Sequence, residues 1–286
     1  MGSSPVAGQD RLARVRQLGW VALVLVGLVG LWEGYKALAA FTSWPLPVRS
    51  TSVPHVWDIV AALAEPVQRG RDQSTFAYLI ESSLFTFREA AAGFVAGGLI
   101  GFGLGVLLAL FRPLERGLMP YVIASQTVPL LAIAPMVVVW SSKAQWPTWV
   151  AVSVIAAYLT FFPVTINTLR GLQSPEPTAL ELMRSYASSR WATLWKVQVP
   201  SALPYVFTAL KVSATASVIG AIVGELPASL NAGLGRALLS FSYFFATGPE
   251  KVYGAVVVAG LLGMLFVGAV TLVERLTLSR WHRDTA

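Results

Sequence analysis

Six stretches of the chain run apolar for about the 20 residues a helix needs to cross a bilayer: 18–41, 84–111, 121–140, 146–166, 205–226 and 253–276. Their hydrophobicity is continuous, whereas membrane strands alternate apolar and polar residues over about ten positions. The pattern predicts an all-α polytopic membrane protein with six transmembrane helices. One insert breaks the rhythm, at 181–204, ELMRSYASSRWATLWKVQVPSALP. Thr178 and Glu181 have capping-box spacing and Leu180, Met183 and Ala187 recur at helical intervals, so a short helix is expected from near Ala179. A second short helix follows Ser188 or Ser189 as cap, with Trp191, Leu194 and Trp195 on its apolar face, and Pro200 is expected to stop it. The segment 174–204 therefore reads as a helix-turn-helix outside the bilayer. Periodicity alone allows it to be a loop resting on lipid or a docking surface.

Charge adds an orientation. Charged residues are 12% of the chain against 55% hydrophobic, about half the usual charged share. Arg11, Arg14 and Arg16 precede span 1; Arg112 and Arg116 join spans 2 and 3; Arg170, Arg184, Arg190 and Lys196 join spans 4 and 5; Arg275, Arg280 and Arg283 end the chain. They outnumber Arg49, Arg69, Arg71, Lys143, Arg236 and Lys251 on the other side, so both termini and the insert are expected in the cytoplasm. This bias accounts for the net charge of +7 without a nucleic-acid partner. Residues 1–17 read as a flexible cytoplasmic tail and 18–286 as a single transmembrane domain. Span 1 is long and starts late for a cleavable signal, so it reads as uncleaved.

Within the spans, Gly93, Gly97, Gly101, Gly105 and Ala109 fall at four-residue intervals in span 2, a small-residue stripe suited to close helix packing. Ser125, Gln126 and Thr127 stand beside Pro129 in span 3, Asn167 ends span 4, and Ser213 and Ser217 share a face of span 5. Polar groups in hydrocarbon seek partners or water, so these six either line a pathway or hydrogen-bond between helices. Glu33 and Lys36 are spaced to pair. Arg88 and Glu89 are expected to snorkel at the outer start of span 2, and Lys211 and Glu225 to mark the two interfaces of span 5. The connection 42–82 is the longest on the outer side, with a short helix over 56–63 after Pro54.

Catalytic constellations are missing from the sequence. The two histidines, His55 and His282, are expected on opposite sides of the membrane, which leaves no His pair for a metal and no Ser-His dyad. None of the five lysines follows a glycine, so there is no phosphate-binding GxxxxGK[ST] loop. Without cysteine there is neither a disulfide nor a thiolate metal site. The chain itself is not an enzyme, and any ATP that drives it must be bound by another chain. An ion-coupled secondary transporter is the rival class, although neither an inverted repeat nor an intramembrane acidic site is visible.

The insert resembles the cytoplasmic loop signature of binding-protein-dependent ABC importer permeases. Glu181, Leu182 and Met183 stand at its Glu-Ala-Ala positions, Ala187 at its glycine, Ser188 to Trp191 after the turn, and Val199 with Pro200 at its Leu-Pro. Alanine at 187 argues against the left-handed turn that glycine permits. The resemblance runs from about Ser52 onward and includes REAAAGF from Arg88 and Gly224 with Glu225. The outer segment with Pro54 is similar to permeases for nitrate, sulfonate and taurine. SQTVPLLAIAP from Ser125, FFPVTINTLRGL from Phe161 and SVIGAIVGEL from Ser217 are more similar to those for thiamine-pyrimidine precursors or riboflavin.

The resemblance implies a multi-pass importer subunit of a bacterial inner membrane, working by alternating access on a small organic solute. Its partners would be a second permease copy, two ATPase subunits holding ATP and Mg, an external solute-binding protein and membrane lipid; this chain holds no cofactor. It implies that Glu181, Leu182, Met183, Arg184, Tyr186, Ala187, Ser188, Arg190 and Trp191 contact the ATPase, with Pro200 and Pro204 closing the coupling segment.

Overall fold

A computed structural model describes residues 6–41, 53–67, 72–228 and 232–283. Arg49, Arg69 and Arg71, and part of the outer connection, lie outside the described residues, as do the side chains of Arg11, Arg14, Arg280, His282 and Arg283. Among the described residues the chain is helical, without a strand. The helices are α1 (Val6–Phe41), α2 (Val56–Ala64), α3 (Thr75–Leu110), α4 (Arg112–Ser125), α5 (Leu130–Lys143), α6 (Thr148–Leu172), α7 (Pro177–Ser185), α8 (Arg190–Thr193), α9 (Val199–Glu225), α10 (Leu234–Tyr243) and α11 (Pro249–Arg283). Five helices are long and apolar enough to cross a membrane, and α4 with α5 forms a sixth candidate bent by 96°. The expected span over 121–140 is thus divided between α4 and α5. Pro129 is extended (ψ 120°) and has no N–H to continue a helix, so the chain turns over Gln126–Val128. Helix α1 begins at Val6, within the stretch read as a tail.

The centre of the bundle is α3, α6 and α9. Along the stripe of α3, a Cβ on Gly93 would stand 2.4 Å from Ser153 O, one on Gly97 2.4 Å from Ala157 O, and one on Gly101 2.5 Å from Phe161 O. The backbones of α3 and α6 can approach this closely only without those side chains. Ala90, Val152, Ala214, Val218, Ala221, Phe266 and Val270 continue the core across α3, α6, α9 and α11. Lys211 Nζ reaches both carboxylate oxygens of Glu274 at 2.9 and 3.0 Å, so α9 and α11 share an ion pair.

Helix α1 lies at the edge, with Trp20, Leu23, Val26 and Leu31 exposed as an apolar surface suited to lipid. It is tied to the bundle near its C-terminal end, where Trp32 donates to Pro54 O at 3.1 Å and its ring meets Tyr253 edge-on at 5.7 Å. Glu33 does not pair with Lys36 there. Its carboxylate lies 2.6 Å from His55 Nδ1 and accepts from Val56 N at 3.0 Å, holding the start of α2, while Lys36 Nζ is buried without a hydrogen-bond partner.

Candidate functional site

The insert between α6 and α9 forms an elbow whose two halves are held by backbone chemistry. Helix α7 starts at Pro177, where a missing N–H costs nothing, with Glu176 as its cap residue. The Thr178–Glu181 capping box does not form, because the Thr178 hydroxyl donates to Glu176 at 3.4 Å. At its end, Ser188 N donates to Met183 O at 3.0 Å and Ala187 N to Arg184 O at 2.9 Å, the two bonds of a Schellman turn. Ala187 adopts φ +48°, so alanine does occupy the left-handed turn doubted from the sequence. The two hydrogen bonds offset a steric cost of about 1–2 kcal/mol. Ser189 then caps α8 by accepting from Ala192 N at 3.2 Å.

Pro200 does not end the second helix. Residues Leu194–Gln198 form a π turn in which Val199 N reaches back to Leu194 O, and Pro200 falls in the first turn of α9, where no N–H is required. Arg190–Glu225 thus reads as one continuous rod of membrane length, with Pro204 inside it. The expected apolar face is also corrected: Leu194 is fully buried, whereas Trp191 and Trp195 are exposed. Leu194 packs with Leu172, Ala202 and Val206, fixing the elbow to the ends of α6 and α9.

Two faces of the elbow differ in chemistry. Leu182 on α7 and Tyr186 at its C-terminal cap, four apart, are 56% and 77% exposed, and Trp191 is 62% exposed. Leu180 and Arg184, also four apart but rotated about 200° from the first pair, line a cleft of about 740 Å³ with Arg112 and Arg190. The structure thus divides the expected ATPase-contact residues. Leu182, Tyr186 and Trp191 form an outward apolar edge, Arg184, Ser188 and Arg190 face the cleft, and Met183 is half-buried between.

Of the pathway residues, Ser125, Gln126 and Thr127 meet at the α4–α5 break. Ser125 and Thr127 donate to Val122 O and Ala124 O, each at 2.7 Å, and Tyr158 donates to Ser125 O. Gln126 is exposed. Asn167 donates to Pro163 O at 2.8 Å and is half-buried in α6. Ser213 and Ser217 are fully buried within the chain and donate to Thr160 O and Ala214 O.

A third site was not legible as such in the sequence. Glu225, 1% exposed, closes α9 and accepts from Thr86 Oγ1 at 2.6 Å and from Gly235 N at 2.5 Å. Thr86 in turn accepts from Leu234 N at 2.8 Å, so one hydroxyl and one carboxylate hold α3, α9 and the N-terminus of α10 together. Gly233 is required twice over: its φ is +110°, and a Cβ would stand 2.5 Å from the Glu225 carboxyl. Glu89 is fully buried next to Glu225. Neither glutamate snorkels to the surface. Arg88 alone turns outward, 5.0 Å over the Trp149 ring. The Gly-Leu-Gly at 233–235 was the available signal, eight residues beyond Glu225. Among the described residues no three His, Asp or Glu side chains converge as a metal site.

Comparison with known proteins agrees with this architecture. The chain is 35% identical to the formylaminopyrimidine transport permease protein ThiX of Halalkalibacterium halodurans over 72% of this chain and 81% of that one. It is 27% identical to the riboflavin transport system permease protein RibX of Chloroflexus aurantiacus over 95% of each. Among solved structures, the MetNI methionine ABC transporter matches with a TM-score of 0.59 at 19% identity, covering 70% of this chain and 96% of that one. An amino acid ABC transporter matches at 0.57 and 18%, covering 70% and 94%; both likenesses concern the fold. Residues 101–279 match the family model described as binding-protein-dependent transport system inner membrane component, and the chain belongs to that family, the non-catalytic membrane subunits of ABC importers, in which partner chains hydrolyse ATP.

Proposed function

We propose that this chain is the six-span translocation subunit of an importer in which the α7–α8 elbow is the coupling element. In this reading both termini and the elbow are cytoplasmic, two copies of the chain enclose the pathway, two ATPase subunits dock on the elbows, and a binding protein delivers solute from outside. The observation that carries it is the outward edge of Leu182, Tyr186 and Trp191, apolar yet exposed, on a turn joined to α6 by four residues and to α9 with no break at all. Such an edge has little reason to face water unless a partner covers it. A push on it is transmitted along α9 to the Glu225 junction. The bent α4–α5 segment with Ser125, Gln126 and Thr127, together with Asn167, supplies the polar groups for the pathway.

The 35% identity to the formylaminopyrimidine permease favours a small heterocycle as the solute over nitrate, sulfonate or taurine, whose permeases are 26–30% identical to this chain. The test is reconstitution with the partner ATPase and binding protein. Leu182→Glu and Tyr186→Glu each place a charge in the docking edge and lose about 2 kcal/mol or more, or roughly thirtyfold in ATPase affinity. Uptake falls while the permease remains in the membrane. Unchanged ATPase binding in both variants refutes the coupling role.

A further inference from the structure

The cleft behind the docking edge contains an excess of positive charge that the coupling role does not use. Arg112, Arg184 and Arg190 all line it, and no carboxylate does. The ion pairs among the described residues are His55–Glu33 and Lys211–Glu274, so the three arginines lining this cleft of about 740 Å³ have no ion-pair partner. An adjoining cleft of about 470 Å³ shares Arg112 and Leu180 and adds Arg116. Its one carboxylate, Glu115, accepts from Gln173 Nε2 at 3.1 Å. Grouped guanidiniums repel one another and are well suited to clamp the oxygens of a phosphate.

Position narrows the choice of anion. From Ala90 to Phe111 helix α3 carries no charged residue, and Arg112 is the first after it, which sets Arg112 at the depth of the lipid headgroups. Leu107 and Phe111 are exposed immediately above, 41% and 52%, and Leu110 and Phe111 enter the wall of the cleft itself. A free anion would have no use for that apolar half. A phospholipid uses both, with its phosphate among the arginines and its acyl chains along α3.

We propose that this cleft binds the phosphate headgroup of an anionic membrane phospholipid and so braces the elbow against the end of α3. The lipid would join Arg112, on the α3–α4 corner, to Arg184 and Arg190, on α7 and α8, across a gap that no side-chain hydrogen bond spans. The site is separate from the proposed ATPase contact. Leu180 and Arg184 face away from Leu182 and Tyr186, so loss of lipid and loss of ATPase docking can be read independently.

Native mass spectrometry of the full-length chain in detergent, titrated with phosphatidylglycerol or with phosphatidylcholine of the same acyl chains, tests this directly. Phosphatidylglycerol is expected to be retained in preference. Taking each guanidinium as worth about 1 kcal/mol, R112Q and R184Q each lower its retention about fivefold, R112K retains most of it, and R236Q, on α10, changes nothing. Phosphatidylcholine retention is the same in all variants, which separates loss of the site from loss of the fold. Equal retention of the two lipids, or unchanged phosphatidylglycerol in R112Q and R184Q, overturns the proposal. So does displacement of the lipid by inorganic phosphate, which would make the ligand a free anion, or by the ATPase subunits, which would make the cleft part of the docking surface.

Discussion

Substituting Gly97 by alanine adds a methyl group where α3 and α6 are closest. The new Cβ would stand 2.4 Å from Ala157 O, 2.8 Å from Thr160 Cβ and 2.9 Å from Ala157 Cα. Two of these three atoms are backbone, so no rotamer change relieves the contact. Ordinary carbon contacts begin near 3.5 Å, and the two helices must part by about 1 Å. Both are stiff, so the separation also loosens the contacts at Gly93 and Gly101. Overpacking of this kind costs about 1–3 kcal/mol, and an unyielding backbone places Gly97 at the upper end. Gly103 lies in the same helix with nothing within 4 Å of its would-be Cβ. Helix propensity favours alanine over glycine by about 1 kcal/mol at either site, so that contribution cancels between the variants. Equilibrium unfolding of both in mixed micelles should therefore show G103A more stable than the parent and G97A about 3 kcal/mol below G103A. Equal stabilities would refute the claim that close backbone contact holds α3 to α6.

Two more consequences can be measured the same way. T86V keeps the shape of the side chain but removes a buried hydrogen bond to Glu225 and strands Leu234 N–H, a combined loss of about 3 kcal/mol; T86S should retain most of it, and equal unfolding of the two variants would rule out the hydroxyl as the junction. A187G relieves left-handed strain of about 1–2 kcal/mol at an unfolded-state cost of about 0.5–1, a net gain of up to about 1.5 kcal/mol, whereas the β-branched A187V should be destabilised; an A187G variant less stable than the parent would contradict the turn geometry.

Elements governed by composition and local spacing were readable from the chain. A continuous apolar run needs no partner to declare itself: 253–276 falls inside α11, and all but the first two residues of 146–166 fall inside α6. Short-range chemistry was readable too, as in the cap at Ser189 and the small helix after Pro54. Local rules misled where a hydrogen-bond pattern could adjust. A π turn carried the chain through Pro200, and two Schellman bonds held Ala187 in a conformation its Cβ disfavours.

Amino-acid order alone determined that this is a helical membrane protein with an amphipathic elbow, because bilayer thickness and helical period act on consecutive residues. Tertiary structure decided the partners of its charges. Glu33 finds His55 at a separation of 22 residues, Lys211 finds Glu274 at 63, and Thr86 finds Glu225 at 139. Which carboxylate meets which donor depends on how helices cross in three dimensions, and spacing along the chain holds no record of those crossings. Arg112, Arg184 and Arg190 appear in the sequence only as basic loop residues; their shared cleft exists because Leu172, Leu194 and Ala202 pack the elbow beneath the end of α3.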